Sequence, residues 1–193
     1  MKKQIANVIT YVSQAPIVAI FSFLSLTLIT LPQNSCGIVV TSFLFAGLIP
    51  ITTIHLLSKK DIKSSLRLAR EKRKKPFMVG IISYFLGFLL LYLLGAPSII
   101  SALMFCYCTN TIVMAIINQF WKISVHASGI AGPVTAVFFH FQSLLFTPLF
   151  LLIIPVGWSR LTVKAHTILQ VAAGALITIV ITWIQLSILI PFL

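Results

Sequence analysis

The chain has 193 residues, of which 59% are hydrophobic and only 8% are charged. This composition excludes a soluble globular domain of the same length, because such a domain needs far more polar surface. The alternation of polar and apolar residues that is typical of a membrane β-barrel is also missing from the sequence. The sequence therefore predicts an all-α fold, a polytopic membrane helix bundle that forms a single integral membrane domain.

Residues 1–57 predict an N-terminal helical hairpin. A basic start precedes the first apolar run, as in a signal peptide, but no small-x-small cleavage site follows that run. We therefore expect residues 16–31 to remain in the protein as its first transmembrane helix. After a polar turn at residues 32–37, residues 37–57 form the second helix of the hairpin.

Residues 58–193 predict the rest of the bundle. They open with the charged segment 58–76, which holds nine basic and two acidic side chains and has a net charge of +7. Such a segment orients a membrane protein and attracts anionic lipid headgroups. Apolar helices are expected at residues 77–95, 98–117 and 166–190. The expected partner of the charged segment is therefore the bilayer surface, and no nucleic acid partner is expected.

The apolar run 131–158 is ambiguous, because it is long for one transmembrane helix and short for two. Thr147 can cap and Pro148 can open a second helix, which would split the run in its middle. With two helices there the chain crosses about seven times, and all basic residues lie on one side of the membrane. With one helix it crosses six times, and Arg160 and Lys164 lie opposite the others. The positive-inside rule favours seven spans.

This topology predicts a multi-pass protein of the plasma membrane, with its amino terminus in the cytoplasm and its carboxyl terminus outside. Three loops then meet at the cytoplasmic surface. The first ends the basic segment with Arg70 and Arg73. The second contains Lys122 and leads into a helix expected to begin near Ala127. Unpaired amides at the start of a helix point towards the loop and favour an anion, so this surface is suited to an anionic ligand.

The second and third loops also contain the motifs that carry chemistry. In the third loop, Ser159 and Arg160 are followed by five residues and then by His166. This pattern resembles the third signature of the type 2 phosphatidic acid phosphatase superfamily, which contains membrane lipid phosphatases. The sequence Ile-Ser-Val-His at 123–126 is similar to that family's second signature and keeps its Ser124 and His126.

The resemblance extends over residues 58–180, with departures. Leu68 stands where the first signature of the family has a lysine. The sequence Arg-Glu-Lys-Arg-Lys-Lys-Pro-Phe at 70–77 instead resembles a divergent branch of small prokaryotic members. That branch also has His-Thr-x-x-Gln in its last motif, as this chain has from His166 to Gln170. The hairpin of residues 1–57 lies outside the resemblance.

The resemblance implies a role for each of these residues. His166 would attack phosphorus and form a phosphohistidine, a covalent route that divides one difficult step into two. His126 would protonate the departing alkoxide and later activate water. Arg160 and Arg73 would hold the phosphoryl oxygens, because a planar guanidinium matches phosphate geometry. The remaining candidates for phosphate binding are Arg70, Lys122, Ser124 and Ser159.

Gln170 belongs to the predicted catalytic set, although the family normally has an aspartate at this position. Its spacing of four from His166 keeps the two side chains adjacent on a helix, so the amide oxygen can fix the tautomer of the ring. It supplies no negative charge to the ring. The only carboxylates, Asp61 and Glu71, lie among lysines in the basic segment. The sequence therefore predicts chemistry without a metal ion or another cofactor.

Three functions fit these residues. The first is a metal-independent phosphatase that hydrolyses a phosphate or diphosphate monoester of a membrane lipid, of the polyprenyl phosphate or phosphatidate type. The second is a phosphotransferase of the same family that passes the phosphoryl group to another lipid. The third is a lipid-phosphate binder or transporter without catalysis, which Gln170 favours. His55 and His140 lie outside the motifs, and we expect neither to be catalytic.

Overall fold

The computed structural model describes residues 1–57 and 70–193, with the side chains of residues 1–56 and 72–193. Within these residues the fold is all-α and contains no β-strand, which confirms the predicted fold class. The helices are α1 (Lys2–Val12), α2 (Ala15–Thr30), α3 (Ser35–Ser42), α4 (Ile49–Leu57), α5 (Lys74–Leu93), α6 (Ser98–Phe120), α7 (Val125–Phe141), α8 (Ile153–Thr162) and α9 (Ile168–Leu189). A π-helix joins α3 to α4 at Phe43–Leu48, and 3₁₀ helices lie at Arg70–Arg73, Leu144–Leu152 and Ile190–Phe192.

Five of the described helical segments are long and apolar enough to cross a membrane, which is compatible with an integral membrane protein. They are Ser35–Leu56, Lys74–Leu93, Ser98–Phe120, Leu144–Thr162 and Ile168–Phe192. The pair formed by α1 and α2, bent by 57°, passes the same test and raises the number to six. Helix α7 is apolar but has only 17 residues, which is about the shortest length that spans a bilayer. The count of seven therefore needs both the bent pair and α7, and it stays a prediction.

The run 131–158 does contain two helical segments, but the predicted position of the break was wrong. Helix α7 begins at Val125 and ends at Phe141, and Gln142 follows it in the left-handed conformation with φ 46°. Ser143 then accepts a hydrogen bond from the amide of Leu145 and starts a 3₁₀ helix that contains Pro148. Because a 3₁₀ helix rises about 2.0 Å per residue, this segment and α8 together are long enough to reach across the bilayer.

The core of the bundle lies between α2, α5, α6 and α9, where apolar side chains such as Phe23, Leu91, Leu103 and Leu186 are buried. Helix α9 packs along α7, and α5 packs along α6. Polar groups inside the bundle form hydrogen bonds between helices. Nδ2 of Asn110 on α6 donates to the Thr182 hydroxyl on α9 at 2.8 Å. These contacts hold the helices whose ends carry the candidate site.

Two glycines allow close approaches at the amino-terminal end of α7. A Cβ atom at Gly174 on α9 would lie 2.5 Å from the carbonyl oxygen of Ser124. A Cβ atom at Gly129 on α7 would lie 2.8 Å from Cβ of Ala15 at the start of α2. Any larger side chain would push these segments apart. The glycines therefore bring α2 and α9 against the turn that contains His126.

Helix α1 was not among the predicted helices. Its buried face is made by Ala6 and Thr10, and it packs on α8. The Thr10 hydroxyl donates to the hydroxyl of Ser159 at 3.3 Å. Its opposite face exposes Ile5 and Val8, an arrangement typical of a helix that lies in a membrane interface. The amino terminus is thus packed against the part of the chain that holds the last motif.

Candidate active site

The end of α8 brings Arg160 and His166 together. Lys164 adopts the left-handed conformation with φ 53°, which reverses the chain after the last helical turn. The amides of Ala165 and His166 then donate to the carbonyl of Arg160, at 3.0 and 3.4 Å. The bond from Ala165 and a second one from Lys164 to Leu161 form the Schellman arrangement that ends many helices. The five-residue spacing between Arg160 and His166 is therefore the length of this reversal.

A capping box at the start of α9 orients the ring of His166. The Thr167 hydroxyl accepts from the amide of Gln170 at 3.3 Å, and Oε1 of Gln170 accepts from the amide of Thr167 at 3.1 Å. The same Oε1 lies 3.2 Å from Nδ1 of His166. Because an amide oxygen only accepts hydrogen bonds, Nδ1 of His166 carries the proton. The lone pair of the neutral ring is then on Nε2.

Arg73 joins the first loop to the other two. Its Nη1 donates to the carbonyl of Ile123 at 3.0 Å, and its Nη2 lies 3.5 Å from Nε2 of His166. The guanidinium is a donor only, so this second contact also requires a lone pair on Nε2. Burial lowers the pKa of Arg73 to about 10, so the side chain is still protonated at neutral pH. A fixed positive charge therefore lies beside the lone pair of His166.

His126 is the second residue of α7, and a contact with α1 orients its ring. Its ring hydrogen-bonds to the backbone of Thr10 near the end of α1, and the Thr10 carbonyl also accepts from the Ser13 hydroxyl at 3.4 Å. Nε2 of His126 is buried, and within residues 1–57 and 70–193 it has no hydrogen-bond partner. The nitrogen that bonds Thr10 is therefore Nδ1. The ring interacts electrostatically with Arg160, His166 and Arg73, which places the two histidines in one site.

The site is strongly positive and largely buried. The side chain of Arg160 is fully buried, with 0% exposed, and His166 is only 7% exposed. Burial is the main reason that the pKa of His166 falls to about 3, and the charges of Arg73, Arg160 and Lys122 lower it further. The hydrogen bond to Gln170 acts in the opposite direction. A buried cluster of cations with a neutral imidazole favours an anionic ligand.

This low pKa predicts a pH-dependent stability. The folded protein keeps His166 neutral down to about pH 3, whereas an unfolded histidine takes up a proton near pH 6.5. The free energy of unfolding should therefore fall as the pH is lowered from 6.5 towards 3, by about 1.4 kcal/mol per pH unit for this group. We expect His166→Asn to lose this part of the dependence when thermal unfolding in detergent is followed between pH 7 and 4. Equal slopes in both proteins would contradict the burial of a neutral His166, and His140→Asn is the matched control.

The other predicted residues are placed as follows. The Ser124 hydroxyl accepts from the amide of Ala127 at 3.4 Å and caps α7, and the Ser124 amide donates to the carbonyl of Gln170 at 3.2 Å. The buried Ser159 hydroxyl donates to the carbonyl of Val156 at 2.7 Å and faces Thr10, so it contributes to the packing of α1. Lys122 is half-buried and acts on His166 through its charge.

The remaining predictions concern side chains that the structure does not describe and two histidines on α4 and α7. The side chains of Arg70 and Glu71, and Asp61 altogether, lie outside the described residues. His140 lies in the last turn of α7, fourteen residues after His126, which puts it about 21 Å away along the helix axis. His55 on α4 places its Nδ1 2.8 Å from the carbonyl of Ile51, one turn earlier.

A cavity of about 140 Å³ opens beside the site and continues into the bundle. Arg73 and His126 line one part of it, and apolar side chains such as Phe77, Leu103 and Met114 line the rest. The wall also contains Gln14 from the start of α2 and Asn110 from α6. The site therefore has a charged part near the helix ends and a largely apolar part between the helices.

Sequence reasoning missed the contributions of Thr10, Gln14 and the carbonyl of Ile123. A backbone carbonyl carries no signal in the sequence, and Thr10 and Gln14 precede the first predicted helix. The break before Pro16 was the one available signal, because the residues before a proline at the start of a helix are biased towards an extended conformation. Such a break frees carbonyl groups but does not show which side chain they contact.

Within the described ranges, no three or more His, Cys, Asp or Glu side chains come together in a way that could hold a metal ion. The groups that meet at the site are two imidazoles, two guanidinium groups, a lysine and an amide, and they can bind an anion, attack phosphorus and transfer protons. No protein-family model, no curated protein and no solved structure matches this chain. What the site does is therefore inferred from its own geometry and from the motifs of the sequence.

Proposed function

We propose that this protein is a metal-independent lipid phosphatase that acts through a phosphohistidine on His166. One observation carries the proposal: His126, His166, Arg73 and Arg160 come from three separate loops and share one buried, positive site beside an apolar cavity. A lone interfacial arginine is an ordinary membrane anchor. A fully buried arginine beside a second guanidinium group and a neutral imidazole, as Arg160 is here, favours an anionic ligand.

The first step forms the phosphohistidine. The lone pair on Nε2 of His166 attacks phosphorus, and the bond between phosphorus and the lipid oxygen breaks. Arg73 and Arg160 bind the phosphoryl oxygens and offset the negative charge that they carry. His126 gives its Nε2 proton to the departing lipid alkoxide, which leaves as an alcohol. The bound phosphate, with its negative charge, provides the attraction that keeps this proton on His126 beforehand.

The second step regenerates the enzyme. Nε2 of His126, now neutral, takes a proton from water, and the resulting hydroxide attacks the phosphorus atom. The bond between phosphorus and Nε2 of His166 breaks, and inorganic phosphate leaves. The Thr10 carbonyl keeps Nδ1 of His126 protonated in both steps, so that Nε2 alone exchanges protons. Gln170 does the same for His166 and keeps Nε2 available as the nucleophile.

The cavity supports a lipid as the substrate. Its apolar wall continues from the charged part of the site into the interior of the bundle, so a hydrocarbon chain can follow a phosphate group without contacting water. We propose that the headgroup lies at the cytoplasmic surface of the plasma membrane, because the positive-inside rule places the basic loops there. Polyprenyl phosphates and phosphatidate both have the required shape.

A binder without turnover is the second candidate, and Gln170 favours it. In enzymes that use a carboxylate to orient a catalytic histidine, its replacement by an amide costs about 10⁴-fold in rate. Here the amide oxygen keeps the required tautomer, so the geometry is preserved and only the negative charge is lost. The preserved tautomer supports the phosphatase over the binder, and a measurement of turnover distinguishes the two functions.

The experiment is phosphate release by the purified protein in detergent, with EDTA present, from dioleoyl phosphatidate and from farnesyl phosphate. A phosphatase releases phosphate from at least one of them, at a rate that EDTA does not change. Saturable binding of both lipids without release would identify a binder instead. Transfer of labelled phosphate to an added second lipid, in place of release into water, would identify a phosphotransferase.

A further inference from the structure

The break between α1 and α2 places Gln14 inside the protein. Helix α1 ends at Val12, and Gln14 is extended, with φ −61° and ψ 133°, before α2 begins at Ala15. Pro16 follows in the first turn of α2, where its missing amide hydrogen costs nothing. Residues at such a corner usually face water. Gln14 instead is 4% exposed.

The amide of Gln14 has unused hydrogen-bonding capacity. Both Oε1 and Nε2 are buried, and neither has a hydrogen-bond partner within residues 1–57 and 70–193. Burying such an amide without a partner destabilises the folded protein. A leucine of similar size would avoid this cost. The amide therefore needs a partner that the described residues do not supply.

The position of Gln14 shows where this partner binds. Its side chain lines the same cavity as Arg73 and His126. The two neighbouring contacts of the corner, from Thr10 to His126 and from Ala15 to Gly129, both go to the first turn of α7. The corner that contains Gln14 therefore packs on the start of α7, where His126 lines the same cavity.

A second polar group lies further along the cavity. Nδ2 of Asn110 donates to Thr182, but Oδ1 of Asn110 is buried and has no partner within the described part of the chain. Asn110 also lines the cavity. A polyprenyl chain has no hydrogen-bonding atoms beyond its phosphate group, so it would leave both amides unsatisfied. A glycerol-type lipid offers ester carbonyls as acceptors, and hydroxyl groups where an ester is missing.

We propose that Gln14 is a specificity-determining residue that hydrogen-bonds the glycerol portion of the substrate, and that the protein therefore acts on glycerol-based lipid phosphates in preference to polyprenyl phosphates. This inference rests on the proposed function and extends it to the substrate class. Nε2 of Gln14 donates to an ester carbonyl close to the phosphate ester, and Oε1 accepts from a hydroxyl group where the lipid has one.

The test compares phosphate release from dioleoyl phosphatidate and from farnesyl phosphate by the wild type and by Gln14→Leu. The wild type should prefer phosphatidate. In the variant, the ratio of the release rate from phosphatidate to that from farnesyl phosphate should fall roughly tenfold, as expected when one buried hydrogen bond is lost and its partner is left unsatisfied. Ser101→Ala is the matched control. Ser101 is also buried and its hydroxyl has no partner within the described ranges, but it is not among the described residues that line the cavity.

The melting temperature separates ligand binding from a structural role. Removing an unpaired buried amide should leave the melting temperature of Gln14→Leu without lipid unchanged or raise it. A lower melting temperature together with an unchanged lipid preference would overturn the proposal. An equal preference for both lipids in the wild type would overturn it as well.

If the wild type releases phosphate from neither lipid, the proposed function fails, and binding then tests Gln14 separately. The rise in melting temperature that micelles containing dioleoyl phosphatidate cause, compared with the rise caused by farnesyl phosphate, measures selective binding. If the extra rise in melting temperature with phosphatidate is lost in Gln14→Leu, the result supports the role of this amide. The same shifts in variant and wild type refute it.

Discussion

The variant His166→Ala should release phosphate from its lipid substrate at least about 10³-fold more slowly than the wild type. The covalent route needs the lone pair on Nε2 of His166, and alanine offers no nucleophile in its place. The buried Arg73 and Arg160 remain and should still bind the lipid phosphate. The loss should therefore appear in kcat, while the affinity for the substrate changes little.

Trapping the intermediate checks the same prediction independently of turnover. With substrate labelled in its phosphate group, the wild type should carry label after an alkaline quench, which preserves a phosphohistidine, and His166→Ala should not. His140→Ala is the matched control, since this exposed histidine lies at the other end of α7. Equal phosphate release by His166→Ala and the wild type would refute the proposed mechanism.

The variant Gln170→Leu should lower the rate by 10²-fold to 10⁴-fold, the range expected when a histidine loses the group that fixes its tautomer. Oε1 of Gln170 accepts from Nδ1 of His166 and from the amide of Thr167, and leucine accepts from neither. Without this acceptor the proton is no longer held on Nδ1, and Nε2 is less often free to attack. Gln170 thus acts through His166 as a positioning residue.

The variant Gln170→Glu is the matched comparison. A carboxylate of the same length accepts both hydrogen bonds, and its negative charge should raise the pKa of His166 from about 3 towards the ordinary value. We expect this variant to keep or exceed the wild-type rate at pH 7, and its rate should begin to fall at a higher pH on acidification. Measurement of kcat from pH 4 to pH 8 checks both effects. If both variants lose activity equally, the tautomer of His166 does not control the rate.

The helices could be predicted well where composition alone decides them. Apolar runs of membrane length located α2, α5, α6 and α9, because a bilayer requires the backbone to satisfy its own hydrogen bonds. The break at Gln142 was missed, because Thr147 and Pro148 offered a stronger local signal than a left-handed glutamine. Helix α1 was missed because it is short and amphipathic, and its stability depends on packing against α8.

In the candidate site, too, local sequence predicted some features and packing decided the others. The spacing of Ser159, Arg160 and His166 is a sequence property, and the Schellman reversal at Lys164 explains why five residues suffice between the last two. In the structure the hydroxyl groups of Ser124 and Ser159 cap α7 and contact α1, and their predicted contribution to phosphate binding stays a prediction. A hydroxyl in a motif has several local partners available, and only the packed structure shows which one it takes.

The sequence by itself determined the all-α fold with apolar helices of membrane length, and it marked the two histidines and two arginines that meet at the candidate site. Those features depend on composition and local spacing, and the partitioning of apolar segments into lipid and of charged groups into water does not depend on the fold. The tertiary structure alone decided that Arg160 is buried, that Nε2 carries the lone pair of His166, and that Thr10 and Gln14 reach the site. These properties arise from contacts such as that between Thr10 and Ser159, 149 positions apart, and no local pattern records them.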